Sequence, residues 1–249
     1  MQIASRISTW ASGDDTPQFW GLGFTAETDN ATISIQAQGA APEIYLETSF
    51  DEGNTWTPYT IGETIELRHI GDRVCFAAPI GVENQYNSAD NTGLTRYNHF
   101  TISGKMSATG SVMSYIKREE SQTSFNYMRS LSNLFQDCTG LTKPPELPAT
   151  TLTARCYNRM FLGCTNLAAA PFLPAESIPS LGCRQLFLHC SLINEIRTGL
   201  KSFPTNGTNS WLDGVSPTGT FYCPAELGTN ETIQRGPSYC PEGWTVINI

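Results

Sequence analysis

The feature that most constrains this chain is a 26-residue repeat in its second half. Phe135, Phe161 and Phe187 recur at that step, as do Cys138, Cys164 and Cys190, and then Leu141, Leu167 and Ile193. Leu134, Met160 and Leu186 fill a further apolar column. The first two units also share prolines and their neighbours: Pro145/Pro171, Leu147/Leu173, Pro148/Pro174 and Ala149/Ala175. Apolar residues in fixed columns at a fixed period predict a solenoid, in which each unit buries its face only against its neighbours. After Cys190 the third unit runs Ser191-Leu-Ile-Asn-Glu-Ile-Arg and lacks the prolines, so the array is expected to be short and to end there.

The cysteine column decides how the eight cysteines are read. Three residues stacked in one column cannot all pair with one another, and stacked positions hold their side chains parallel rather than converging. Cys138, Cys164 and Cys190 therefore read as free buried thiols that pack as small apolar groups. Cys223 and Cys240 lie outside the repeat and are the pair best placed for a disulfide. No CxxC pair exists, and His69, His99 and His189 are not spaced with cysteines as zinc ligands would be. No metal or other cofactor is expected.

Ahead of the repeat, from Phe19 to Ile116, short alternating or β-branched segments are separated by turn signals. Gly21–Ala26, Ala31–Gln36, Glu43–Ser49, Trp56–Ile61, Thr64–His69, Arg73–Ala77, Asn98–Ser103 and Gly110–Ser114 read as strands. Their number and spacing predict an antiparallel β-sandwich or jelly-roll-like module, with Gly81–Arg96 as its one long loop. Ser124–Phe135 places Phe125, Met128, Leu131, Leu134 and Phe135 at helical spacing, which predicts a helical unit opening the solenoid. In the tail, Gly219–Cys223 and Trp244–Ile249 predict a β-hairpin that seals its open end. The expected fold is thus mainly β with short helices: an arm over 1–17, a β-sandwich module over 18–117, a solenoid over 118–205 and a capping segment over 206–249.

Charge and composition exclude several functions. Only 15% of residues are charged, the net charge is −8, and no basic stripe exists, which argues against binding a phosphate backbone. No apolar run approaches the roughly 18–20 residues of a membrane span. Met1–Thr16 contains a single cation, Arg6, and does not read as a signal peptide.

One chemical motif stands out. Ser49-Phe-Asp51-Glu-Gly53-Asn-Thr55-Trp56 fits the Asp-box pattern S-x-D-x-G-x-T-W. Its logic is local: Asp51 caps turn amides, Gly53 permits a positive-φ turn residue, and Trp56 packs beneath the hairpin. Sialidases carry several such boxes together with an arginine cluster, whereas the chain ahead of Lys117 holds only Arg6, Arg68, Arg73 and Arg96. The adjacent acids Asp14-Asp15 and Glu119-Glu120 read as solvated loop residues rather than a glycosidase pair. The loop Glu83–Asn91 offers oxygen atoms but lacks the spaced acids of a calcium loop. His69 and His99 fall in predicted strands and His189 in a predicted repeat helix. Neither a nucleophile elbow nor a phosphate loop is present. Of the aromatics near predicted loops, Trp10, Trp20, Trp56, Tyr86, Tyr97, Trp211 and Tyr239 include rings that could stack on sugars.

The segment Leu152–Ala175, with Phe161-Leu-Gly-Cys164-Thr-Asn-Leu167 followed by Pro171-Phe-Leu173-Pro174-Ala175, resembles the BspA-like leucine-rich repeats. Their core pattern is F-x-x-C-x-x-L followed by a short strand. The variant with P-x-L-P-A is similar to that of surface proteins of gut Bacteroidales and of phages that infect them. The resemblance covers residues 124–203, about a third of the chain. The flanks Phe100-Thr-Ile-Ser-Gly104-Lys, Gly110-Ser-Val-Met113-Ser, Gly219-Thr-Phe-Tyr and Gly243-Trp-Thr-Val are similar to a modular arrangement in phage virion proteins. The resemblance implies display and adhesion rather than catalysis. On that basis the chain is expected to be a non-enzymatic virion component assembled in the host cytoplasm: a capsid decoration, head fibre or tail-associated protein. Its expected partners are other virion proteins, further copies of itself, and host-surface or mucus glycans. The alternatives are a bacterial cell-surface adhesin and, behind it, a carbohydrate-active enzyme.

Overall fold

The computed structural model describes residues 21–39, 41, 43–84, 97–118 and 123–249. The predicted arm, Asp14-Asp15, Glu119-Glu120, Arg6, Arg96, Trp10, Trp20, Tyr86 and most of the long loop lie outside the described residues. Strands β1 (Leu22–Ala26), β2 (Ala31–Gln38), β3 (Leu46–Ser49), β4 (Thr57–Tyr59), β5 (Thr64–Leu67), β6 (Arg73–Ala77), β7 (Tyr97–Ser103) and β8 (Met106–Thr109) come first. The short helix α1 (Val112–Ile116) follows, then β9 (Leu141–Lys143), β10 (Glu195–Arg197), β11 (Thr220–Cys223) and β12 (Thr245–Asn248). The protein is mainly β, in several sheets, with almost no helix.

Two of the sheets face each other. One has the order β4-β3-β6-β1-β8-β9 and the other β5-β2-β7. Alternation builds the smaller sheet: Ile65 and Leu67 of β5 are buried while Thr64 and Glu66 are exposed, and β7 buries Asn98, Phe100 and Ile102. Strands β1 and β6 are buried at nearly every position, because α1 packs on both of them as well. Rings join the layers, with Phe24 and Phe76 lying 5.0 and 5.3 Å from Phe100. From the larger sheet, Tyr59 accepts a hydrogen bond from the Ile35 amide at 2.9 Å.

Phe100 also begins the second half of the molecule. The rings of Phe100, Phe135, Phe161 and Phe187 stack face to face at 5.1, 5.4 and 5.6 Å, tilted by only 9°, 5° and 7°. The first step of this stack is 35 residues, not 26, and the same offset recurs where Met106 pairs with Leu141 and Ser111 with Glu146, both in parallel. Strands β7 and β8 therefore supply a ready-made edge and ring on which the first repeat unit settles.

The rows carrying these phenylalanines are chains of turns, not helices. In the first row the amides of Leu131, Asn133 and Phe135 donate forward to the carbonyls of Cys156, Asn158 and Met160 at 2.8–3.0 Å. The amides between them reach back three residues: Ser132 to Arg129, Leu134 to Leu131, and Gln136 to Asn133. Each of these six donors is thus satisfied without a helix. This geometry places a left-handed residue at every fourth position, at Arg129, Asn133 and Asp137, at Arg155, Arg159 and Gly163, and at Leu181, Gln185 and His189. The helical unit expected over Ser124–Phe135 is therefore corrected to turns, and so is the helical position of His189. Turns of this kind mimic helical periodicity because they too return a side chain to the interior every three or four residues.

Two further corrections concern strands. Gly110–Ser114 is not a strand: Ser111 caps α1, its Oγ accepting from the Met113 amide at 3.0 Å. The strand at this point is β8, set between positive-φ Gly104 and Gly110. Nor is the C-terminal pair a hairpin, since β10, β11 and β12 form a parallel sheet in which Glu195 pairs with Thr220 and Thr220 with Thr245. Each layer adds one strand in the same direction, so no reversal occurs. The outer edge of β12 is closed by a side chain: Asn230 accepts from the Val246 amide at 2.8 Å and donates to its carbonyl at 3.2 Å. Arg235 holds this corner through a 2.7 Å bond to the Trp244 carbonyl.

Candidate functional site

The nine residues of the repeat columns are interior. Phe135, Cys138, Leu141, Phe161, Cys164, Leu167, Phe187, Cys190 and Ile193 are each at most 2% exposed. Each column thiol donates to the carbonyl of the phenylalanine one layer back: Cys138 to Phe100, Cys164 to Phe135 and Cys190 to Phe161, all at 3.0 Å. Burial pushes the Cys190 thiol up to about 12, and the Cys138 and Cys164 thiols are raised for the same reason. All eight cysteines are free and buried, including Cys223 and Cys240, the pair best placed in the sequence for a disulfide. Cys240 instead receives an Arg235 guanidinium hydrogen bond at 3.2 Å, and Cys223 donates toward the Gly228 carbonyl. Among the described residues no cluster of three or more His, Cys, Asp or Glu could hold a metal ion.

The Asp-box residues form a closed knot at the β3–β4 turn. Asp51 Oδ1 accepts from the Thr55 amide at 2.8 Å and from Ser49 Oγ at 2.7 Å, and Oδ2 accepts from Thr55 Oγ1 at 2.6 Å. These bonds, the Thr55 hydroxyl first, hold the Asp51 carboxyl down at about 2. Ser49 Oγ also accepts from the amide of Gly53, which sits at φ +88°. The Trp56 indole donates to the Gly53 carbonyl at 2.8 Å. Its ring carries the Arg118 guanidinium 4.0 Å from its centroid, and Arg118 in turn pairs with Glu47 and donates to the Ala78 carbonyl. With its polar atoms bonded to one another and its half-buried tryptophan under Arg118, this surface constellation acts as a staple of the turn.

A different arrangement opens to solvent where β7 meets the first turn row. An open groove of about 190 Å³ is lined by Tyr97, His99, Phe100, Thr101, Ile102, Gln136 and Asp137. The Phe100–Phe135 stack brings these two segments together. Tyr97 and His99, two apart on one face of β7, contact edge to face at 5.3 Å. Asp137 has left-handed backbone, and its Oδ2 accepts from the Gln136 amide nitrogen at 3.1 Å. Its Oδ1 fills the space over Gly163 in the next layer, where any β-carbon would collide with it. Burial lowers the His99 imidazole below its ordinary value, partly opposed by Asp137, and burial followed by Asp137 raises the Tyr97 phenol. Beside the groove, Arg159 is fixed by a 2.7 Å bond from its Nε to Gln185. In the sequence Tyr97 stands among the possible stacking rings, whereas Gln136 and Asp137 belong to no motif. The available signal was the column Asp137/Gly163/His189, in which a glycine lies under a carboxylate. Of the other rings, Trp211 is fully buried and donates to the Tyr239 carbonyl at 2.9 Å, while Tyr239 packs on Phe203.

Set against known protein families, curated proteins and solved structures, the chain matches none. The class its fold defines is a mainly β protein of several sheets. Among the described residues no helix is long and apolar enough to cross a membrane.

Proposed function

We propose that this chain is a non-enzymatic structural and adhesion component of a bacteriophage virion: a capsid decoration, head fibre or tail-associated protein. In this reading the two facing sheets are an anchoring β-sandwich. The stacked turn rows are a short BspA-like leucine-rich-repeat solenoid, which presents its outer surface to host-surface or mucus glycans. Further copies of the chain and other virion proteins are its partners.

The observation that carries the reading is the constant register of the stack. Four rings at 5.1–5.6 Å and a forward ladder of hydrogen bonds make a stiff stack seeded directly on the β7 and β8 strands. Such a form suits display, and many copies on a symmetric particle raise avidity without a tight single site. The recurring F-x-x-C-x-x-L columns supply the resemblance to surface and phage proteins. Thiols that stay reduced and act in packing suit assembly in a reducing cytoplasm.

Mass spectrometry and antibody labelling of purified particles test this. The chain is expected at a fixed copy number per particle. Finding it on the bacterial envelope and absent from particles would replace the proposal with the cell-surface adhesin.

A further inference from the structure

The groove between β7 and the first turn row has the chemistry of a saccharide site. Its floor is rigid, because Phe100 and Phe135 stack beneath it at 5.1 Å. Its wall offers a half-buried phenol ring, Tyr97, braced edge to face by His99. On the opposite side stand a carboxylate and a primary amide on adjacent residues, Asp137 and Gln136, joined by one 3.1 Å hydrogen bond. An ionised carboxylate offers about four acceptor sites, and this bond occupies one of them. Gly163 is what allows the carboxylate to lie here, since a β-carbon there would drive it out.

A flat ring beside paired acceptor and donor groups matches a sugar, which presents C–H bonds on one face and vicinal hydroxyls at its edge. A cationic ligand would be held by several acids, and the groove lining holds a single acid, Asp137. We infer that this groove binds one sugar residue of a glycan, with Tyr97 under the ring face and Asp137 and Gln136 on two neighbouring hydroxyls. This deepens the adhesion reading and rests on it for the glycan's biological source.

The test uses the full chain. The His99 and Tyr97 ring resonances are followed by NMR while free hexoses and N-acetylhexosamines are added at millimolar concentration, with ethylamine as a separate arm. Saturable shifts at those two rings with at least one sugar are expected, together with at least a tenfold weakening in Tyr97→Ala and Asp137→Asn at unchanged melting temperature. Shifts with ethylamine alone, or sugar binding undiminished in both variants, would overturn the site. Adhesion of the chain to host cells or mucus is scored in parallel. Cell binding with no sugar shift at either ring sinks the groove and leaves the adhesion reading standing, whereas sugar shifts without any cell or mucus binding leave the groove and sink adhesion.

Discussion

Phe161→Leu should cost more than Phe187→Leu by about one stacked aromatic pair. Both rings are fully buried, so the loss of shape and area on going to leucine is similar at the two sites. They differ in neighbours: Phe161 stacks on Phe135 at 5.4 Å and on Phe187 at 5.6 Å, whereas Phe187 has only Phe161 as a stacked partner. A buried aromatic pair contributes about 0.5–1.5 kcal/mol beyond its area, and a volume-conserving apolar swap costs under about 1.5 kcal/mol. Phe161→Leu is therefore expected to destabilise by about 2–4 kcal/mol and Phe187→Leu by about 1 kcal/mol less. For a chain of this size that difference is roughly 2–4 °C in melting temperature. Guanidinium unfolding followed by near-UV circular dichroism and tryptophan fluorescence would measure it, with coincident transitions and an unchanged m-value as the conditions for comparison. Equal costs, or a larger cost at Phe187, would refute the claim that ring stacking couples the layers.

Other expectations follow from single contacts. Cys164→Ala should cost about 1–3 kcal/mol, the loss of a packed group, because the Phe135 carbonyl it leaves still accepts from the Cys138 amide at 3.0 Å. In the native protein Cys138, Cys164 and Cys190 should resist iodoacetamide at pH 8, and rapid labelling of all three would defeat their assignment to the core. The folded Asp51 carboxyl lies at about 2, below its ordinary value of 3.8, so its contribution is fully present above the ordinary value and lost as pH falls through about 2. An acid titration that leaves the Thr55 amide resonance unmoved down to pH 2 would contradict this. Asn230→Ala should unblock the β12 edge and add concentration-dependent association to whatever the parent shows in sedimentation velocity, whereas a profile unchanged relative to the parent would show that the amide is not what closes it.

Legibility in the sequence followed where a side chain alone sets the pattern. The Phe, Cys and Leu columns were readable because each must be apolar to fill the same interior slot in successive layers. The alternation of β2, β5 and β7 was readable because one face of that sheet meets the core. The turn rows were not, since Phe125, Leu131, Leu134 and Phe135 return inward at a spacing shared by helices and serial turns. What separates the two is the forward ladder of backbone bonds, which no single row encodes. The parallel course of β10, β11 and β12 was hidden for a related reason: Glu195, Thr220 and Thr245 pair through backbone, and no one residue type runs through all three. The groove could not be found by motif, because Tyr97 and His99 meet Gln136 and Asp137 only once Phe100 has stacked on Phe135.

The seeding of the stack on β7 and β8 bears on how such a chain can change length. The forward ladder and the ring stack enter and leave the second turn row in the same register, from Phe135 to Phe161 and from Phe161 to Phe187. Duplicating that row would insert 26 residues without altering the seed below or the Asn230-closed edge above. Each duplication would lengthen the stack by one hydrogen-bonded layer, about 4.8 Å. The length of the stack is then adjustable in fixed increments, and neither the sheets beneath it nor the groove beside β7 has to be rebuilt.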